Sequence, residues 1–303
     1  MSSRLSNSIK AEASRLGFFA CGISKAEPVD ENTRQHMHTW LSQKAFAGME
    51  YMNNHEEMRL NPSLLMDGVK SIVSVALNYT PARTLPEGEY QIAAYALGQD
   101  YHTVVRDKLH RLAAAIGLQP GEYRAFCDSA PVLERYWAVR GGLGWIGRNH
   151  QLIIPHAGSM FFLGELFIKE ETDYDTPMKN RCGECRKCID ACPTKVLSGN
   201  TFDAERCLSY QLIENRKELS EEAIQNMGDT IYGCDRCQQA CPWNRFAKPT
   251  SEPLLQPREE LLAMTRTQWK QLSIEDYRKL FKGSAVKRVK YEGLIRNILA
   301  AKK

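Results

Sequence analysis

The sequence predicts an α+β fold in two unequal parts, a mixed α/β domain followed by a small cysteine-rich one. Helical and strand patterns alternate through residues 1–170. Eight of the ten cysteines fall between Cys182 and Cys241. A length of 303 residues allows about two domains at about 150 residues each. Hydrophobic residues make up 43% and charged residues 25%, the balance of an ordinary globular chain, which excludes wholesale disorder and a disulfide-stapled miniprotein.

The elements read in order as follows. Ser6 to Leu16 is a helix stopped by Gly17, and Phe18 to Ile23 is a buried strand. Glu31 to Phe46 is helical; Asn61-Pro62 pairs a cap with a proline suited to the first helical position, and Val69 to Tyr79 has the β-branched alternation of a strand. Val105, Leu109, Leu112 and Ile116 share one face of a helix over Thr103–Ile116, ahead of Gly117. Tyr123 to Cys127 is a strand, Asp128-Ser129-Ala130-Pro131 opens a helix running towards Arg140, and strands follow at Gln151–Ile154 and Phe161–Ile168. Composition turns polar between Asp173 and Asn180, and a turn-rich linker at Ser251-Glu252-Pro253 leads into a basic helical tail. The expected organisation is therefore 1–175, 176–249 and 250–303.

No apolar run approaches the roughly 18 residues of a membrane-spanning helix, and Met160 to Leu163 stops at Gly164-Glu165. Met1 to Ser8 has neither an apolar signal core nor a twin-arginine pair, so a cytoplasmic, non-membrane protein is expected. In that reducing compartment the cysteines are expected as metal ligands or redox groups rather than disulfides. Charge is uneven. From Asn244 to Lys303, 14 Lys and Arg face 6 Asp and Glu, a local charge of +8 that leaves −4 over residues 1–243 in a chain of net +4. Such a tail attracts phosphates or serves as a solvated helical surface.

Cys182-x2-Cys185-x2-Cys188-x3-Cys192-Pro193 has the bacterial ferredoxin spacing for a [4Fe-4S] cluster, in which the fourth cysteine serves a second cluster. A second copy, Cys234-x2-Cys237-x3-Cys241-Pro242, has Ile231 where its first cysteine would stand, and Cys207 restores the total of eight. The crossing rule assigns Cys182, Cys185, Cys188 and Cys241 to one cluster and Cys192, Cys207, Cys234 and Cys237 to the other. Four-cysteine zinc sites also use two-residue gaps, but as separated pairs rather than a triple followed by Cys-Pro. Cys21 and Cys127 lie in predicted strands and read as small buried apolar residues.

Gly142-Leu143-Gly144-Trp145-Ile146-Gly147 matches a dinucleotide-binding glycine pattern, but it follows a helix and precedes a strand. No helix N-terminus is then available for a pyrophosphate, and the run reads as a close backbone approach or a helix C-terminal turn.

Cys127-Asp128-Ser129-Ala130-Pro131-Val132-Leu133-Glu134-Arg135, then Gly142 to Asn149 and Gly158 to Glu165, stand in the order found in epoxyqueuosine reductases and run directly into the eight cysteines. Tyr95 to His102, Cys207 to Tyr210 and Gly283 to Arg288 resemble the same family, so the similarity spans nearly the whole chain. The resemblance implies a nitroreductase-like α/β cobalamin-binding catalytic domain, a ferredoxin-like domain with two [4Fe-4S] clusters, and a tRNA substrate. Its reaction is reduction of epoxyqueuosine at the wobble position to queuosine, the last step in making that nucleoside. It implies attack of Co(I) on an epoxide carbon, delivery of a proton to the oxygen, and loss of water. Many members continue into a HEAT-like helical repeat that helps hold the tRNA, whereas this chain resembles a short form without it.

Asp128 would be the acid. With a free pKa of about 3.9 it would need burial to raise it; from the residues alone, Asp128 or Ser129 reads rather as a helix N-cap ahead of Pro131, and the resemblance reverses that preference. For cobalamin the resemblance points to Arg59, Tyr95, Asp128, Gly147, Asn149, Ser159, Ser209 and Asp235. For tRNA it points to Gln211, Lys287, Arg288 and Lys290. An unidentified electron donor is implied, and a monomer is the simplest assembly. A two-cluster electron carrier would not need the large N-terminal domain, and a corrinoid reductive dehalogenase would be expected to carry an export signal.

Overall fold

A computed structural model describes residues 2–199 and 201–301. The helices are α1 (Ser2–Arg15), α2 (Glu31–Ser42), α3 (Glu56–Leu60), α4 (Tyr101–Ala115), α5 (Glu134–Arg140), α6 (Lys187–Asp190), α7 (Leu208–Ile213), α8 (Glu221–Met227), α9 (Arg236–Gln239), α10 (Glu259–Leu262), α11 (Arg266–Lys270), α12 (Ile274–Leu280) and α13 (Lys290–Ala300). The strands are β1 (Ala20–Lys25), β2 (Ser71–Asn78), β3 (Gln91–Ile92), β4 (Tyr123–Phe126), β5 (Trp145–Ile146), β6 (Leu152–Ile153), β7 (Phe161–Ile168) and β8 (Thr230–Tyr232).

Four strands make an antiparallel sheet in the order β1-β2-β7-β4. β2 is buried along nearly all its length because both faces are covered, which is why it reads as an almost unbroken apolar run. Val73, Val75 and Leu77 face a core shared with Ile9 and Ala13 of α1 and Val105, Leu109 and Leu112 of α4. Ile72 and Phe167 face the other way, against Trp137 of α5. Each fully buried Leu or Val contributes roughly 1.5–3 kcal/mol.

The helix expected from Asp128 begins six residues later, at Glu134. Pro131 disfavours helical backbone at the residue before it, so the chain bends through Ser129–Leu133 before α5 can start. Asp128 itself is left-handed, with φ 59°. The glycine run folds as expected of a close approach: Gly142, with φ 76°, ends α5, and β5 then pairs with β6. A Cβ on Gly144 would overlap the Ile153 carbonyl.

A second large core joins residues far apart in sequence. Tyr90, Ile92 and Leu97 pack with Leu208, Leu212, Ile231 and Tyr232, and with Trp269, Phe281, Val286, Leu294 and Ile298. β3 runs parallel to β8, so residues 176–249 and 250–303 share an interior with a loop of the first 175 residues. Among the described residues no helix is long and apolar enough to cross a membrane.

Candidate active site

The cysteine-rich segment folds as two short loops, each followed by one turn of helix, α6 and α9. Cys182, Cys185, Cys188 and Cys241 line one small recess together with Arg148, Asn149, Ile153, Pro242 and Trp243. These thiols ring the recess; among the described residues no three His, Cys, Asp or Glu side chains close on a point that would hold a single ion. Trp145 donates its indole N–H to the Cys182 sulfur at 3.5 Å.

Cys192, Cys207, Cys234 and Cys237 form the other set. Burial first, and then the charges of Cys234, Cys207, Asp235 and Cys192, push the Cys237 thiol up; Cys234 is carried to about 11 by burial and then Cys207. Cys207 precedes α7 and receives the Ser209 and Tyr210 backbone N–H groups. Ile231, in place of a fourth local cysteine, is fully buried in β8. Four thiols per set match the ligand count of cubane clusters, whose iron would replace the thiol protons.

Asp128 projects from the bend between β4 and α5. Its backbone N–H donates to the Glu134 carboxylate. Its Oδ2 accepts the Tyr101 hydroxyl and lies 3.2 Å from His102 Nε2. Tyr101 is stacked between the His102 ring, 4.1 Å away, and the Phe162 ring, 4.2 Å away. The expectation of a raised Asp128 is not met. Desolvation pushes the carboxyl up, but hydrogen bonds from His102 and Tyr101 and the charges of His102 and Arg135 outweigh it and hold Asp128 below its ordinary value. Nor is Asp128 an N-cap, since its side chain reaches α4 rather than the α5 backbone.

The groups that hold protons stand around it. Burial lowers His102, but hydrogen bonds to Asp100 and Asp128 outweigh this and raise it to about 9. Burial, then the Asp128 charge, raises Glu134 to about 8. Glu165, fully buried on β7 and facing Glu134, is pushed well above the usual carboxylate range by burial and by that neighbour. His102, Glu134 and Glu165 carried no role in the sequence reading; Tyr95 to His102 and Gly158 to Glu165 were visible only as segments of resemblance.

Arg59 is buried at the end of α3, donates to the Tyr51 carbonyl at 3.0 Å, and has an Nε without a partner. Tyr51 is 45% exposed, lies under the Arg288 guanidinium, and is raised by burial, Glu214 and Asp128. Tyr95 packs edge-on to Tyr101 at 6.1 Å and donates to the Tyr232 hydroxyl. Asp235, raised to about 6 by burial, accepts the Ala94 N–H at 2.6 Å. Gly147 has no room for a Cβ against Ile153 and Asn149. Asn149 is buried with its Nδ2 unpartnered, and its neighbour His150 accepts a hydrogen bond from Arg135. Ser159 is held by Gln238 and Asn244, joining the sheet to the second cysteine loop. Ser209 sits half-buried in the first turn of α7.

The structure thus brings Asp128 and Tyr95 together through Tyr101, with Asp235 on the Ala94 backbone beside Tyr95, and sets Asn149 and Gly147 beside the recess of Cys182, Cys185, Cys188 and Cys241. The orphaned donors of Arg59 and Asn149 fit a corrinoid, whose periphery is rich in amide carbonyls. Gln211, expected at the tRNA, is buried: its Nε2 donates to the Glu205 carbonyl, and its Oε1 accepts from Asn215 and Ser220. Lys287, Arg288 and Lys290 are exposed, Arg288 in a two-point ion pair with Glu214 at 2.7 and 2.9 Å. Cys127 is buried, whereas Cys21 is only half-buried on β1.

Residues 59–129 match the family model described as epoxyqueuosine reductase QueG, DUF1730, and residues 181–244 match a 4Fe-4S double cluster binding domain. The chain is 45% identical over 296 residues to the epoxyqueuosine reductase of Cellulophaga algicola, covering 97% of this chain and 96% of that one. It superposes with a TM-score of 0.89 and 27% identity on an epoxyqueuosine reductase crystallised with an epoxyqueuosine-modified tRNA-Tyr stem loop, over 98% of this chain and 80% of that one. An equal TM-score, with 26% identity over 98% of this chain and 81% of the other, relates it to the Bacillus subtilis enzyme, solved with its aspartate-bearing catalytic loop swung out of the active site.

Proposed function

The chain belongs to the epoxyqueuosine reductase family, and on that premise we propose that it reduces epoxyqueuosine in the anticodon stem loop of tRNA to queuosine. The observation that carries this is the whole-chain likeness to a reductase crystallised with a modified stem loop, together with an aspartate in left-handed backbone held by Tyr101, His102 and Glu134. The cofactors proposed are two [4Fe-4S] clusters and cobalamin, the protein acting as a cytoplasmic monomer that takes electrons from a separate donor.

Cys182, Cys185, Cys188 and Cys241 would hold one cluster and Cys192, Cys207, Cys234 and Cys237 the other, relaying electrons singly. Arg59, Tyr95, Gly147, Asn149, Ser159, Ser209 and Asp235 are proposed around the cobalamin, which when bound supplies the reduced nucleophile for epoxide opening. Asp128 is the proposed proton donor to the epoxide oxygen. Tyr101 and His102 fix its carboxylate, and Glu134 fixes its backbone. Because it is ionised when at rest, it must be loaded with a proton before it acts. Lys287, Arg288 and Lys290 are proposed to meet tRNA phosphates.

Reconstituted protein incubated with epoxyqueuosine-bearing stem-loop RNA, cobalamin and a strong reductant tests this. Cobalamin-dependent formation of queuosine is expected. Filled clusters with neither cobalamin binding nor product would instead favour the electron carrier.

A further inference from the structure

Opening the epoxide to an alkene and water breaks both C–O bonds and consumes two electrons and two protons. Asp128 carries at most one proton at a time and is ionised at rest, so it has to be loaded before each proton it donates.

We propose that His102 is the positioning residue that loads Asp128, with Asp100 holding its Nδ1 so that Nε2 faces the Asp128 carboxylate. The three side chains stand in line: Asp100 Oδ1 lies 2.6 Å from Nδ1, and Nε2 lies 3.2 Å from Asp128 Oδ2. In the step, the imidazolium gives its Nε2 proton to Oδ2 and becomes neutral imidazole, while Asp128 becomes an acid. That proton then passes to the departing oxygen. His102, its side chain 29% exposed, regains a proton from water. The electrons are those the reductase reaction already draws through its clusters. This inference rests on the reading of Asp128 as the donor.

A capping role alone does not account for the arrangement. Asp100 is the N-cap of α4 and accepts the His102 backbone N–H at 3.1 Å, which needs no imidazole. A cationic ring in the first turn opposes the helix dipole. The groups facing it decide the balance: Asp100, Tyr101 and Arg106 on its own helix, and Asp128, Glu134 and Arg135 across from it. With the two nearest carboxylates on either side, His102 keeps its proton at neutral pH.

The test pairs a titration with a rate profile. Nuclear magnetic resonance of the imidazole in the intact protein should show His102 titrating at least one unit above the ordinary value of about 6.5, and Asp100→Asn, which preserves the cap, should lower it. In single turnover, His102→Gln with normal iron and cobalamin content should be about tenfold or more slower at pH 7.5, recovering as pH falls and Asp128 takes protons from solvent. If His102→Gln does not fold, Asp100→Asn is assayed alone and should move the alkaline limb of the profile to lower pH. An ordinary titration, or variant profiles that match wild type while wild type makes product, overturns the relay alone. No product from wild type overturns the reductase reading and the relay with it.

Discussion

Glu134 accepts the backbone N–H of Asp128, six residues before it in the chain, and so ties a left-handed aspartate to the first turn of α5. Left-handed backbone at a non-glycine residue costs roughly 1–2 kcal/mol, and Asp tolerates it better than most because a short polar side chain finds local partners. The bond gives the bend one defined resting position.

Glu134→Ala removes that acceptor. Single-turnover reduction should fall about tenfold or more through loss of positioning, and the Asp128 amide should exchange faster with solvent. Glu134→Gln keeps an acceptor oxygen and should stay close to wild type. Equal exchange rates in wild type and Glu134→Ala would rule out the tie.

Stability of the cofactor-free protein should decline as pH rises. Glu134 is raised from 4.5 to about 8 and His102 from 6.5 to about 9, so both bind protons more tightly folded than unfolded. Their contribution is complete below the unfolded values and lost as pH rises through the folded ones. Lowered Asp100 and Asp128 act oppositely, favouring the fold above 3.8 and losing that effect in acid. Urea midpoints measured from pH 5 to 9 should fall, and Glu165→Gln should flatten the slope by relieving the buried acid pair. A midpoint that rises through this range would contradict the assignment.

Trp145→Phe removes the N–H that reaches Cys182. A hydrogen bond to a thiolate stabilises the reduced, more negative cluster, so its loss should lower the potential of the cluster proposed on Cys182, Cys185, Cys188 and Cys241. Potentiometric titration followed by electron paramagnetic resonance reads this directly. An unchanged potential at full iron content would show that the contact does not tune the cluster.

Lys287→Ala and Lys290→Ala should each weaken stem-loop binding and reduce the slope of log affinity against log salt by about one. Arg288→Ala should do more, because it also releases Glu214 and uncovers Tyr51. Slopes that stay at the wild-type value would move the RNA contact elsewhere.

The cysteine spacing made legible the gathering of Cys182, Cys185, Cys188 and Cys241 around one recess, because a local motif fixes its intervals and the crossing rule brings in Cys241. The helix face of Leu109 and Leu112 and the buried run of β2 were legible for the same reason, since periodicity is a local property. The bend at Asp128 was misread as a helix start: Ser, Asp and Pro signal caps and turns alike, and only the distant partners Tyr101 and Glu134 decide between them. His102 was hidden because its role depends on two carboxylates, one of them 26 residues away. Gln211 was polar by type and buried by context, with partners supplied by a loop that turns back over it. The basic tail also divides in three dimensions: Arg258 and Arg296 cap carbonyls at the ends of other segments, leaving fewer charges for RNA than the count suggested.

The central claim is that Asp128 donates the proton in epoxide reduction, and single-turnover conversion of an epoxyqueuosine-bearing stem loop by wild type and Asp128→Asn tests it most directly. Asn suits the left-handed bend, which Ala would strain. With equal iron and cobalamin content, the variant should convert about 10²- to 10⁴-fold more slowly than wild type. Conversion at the wild-type rate would contradict the claim.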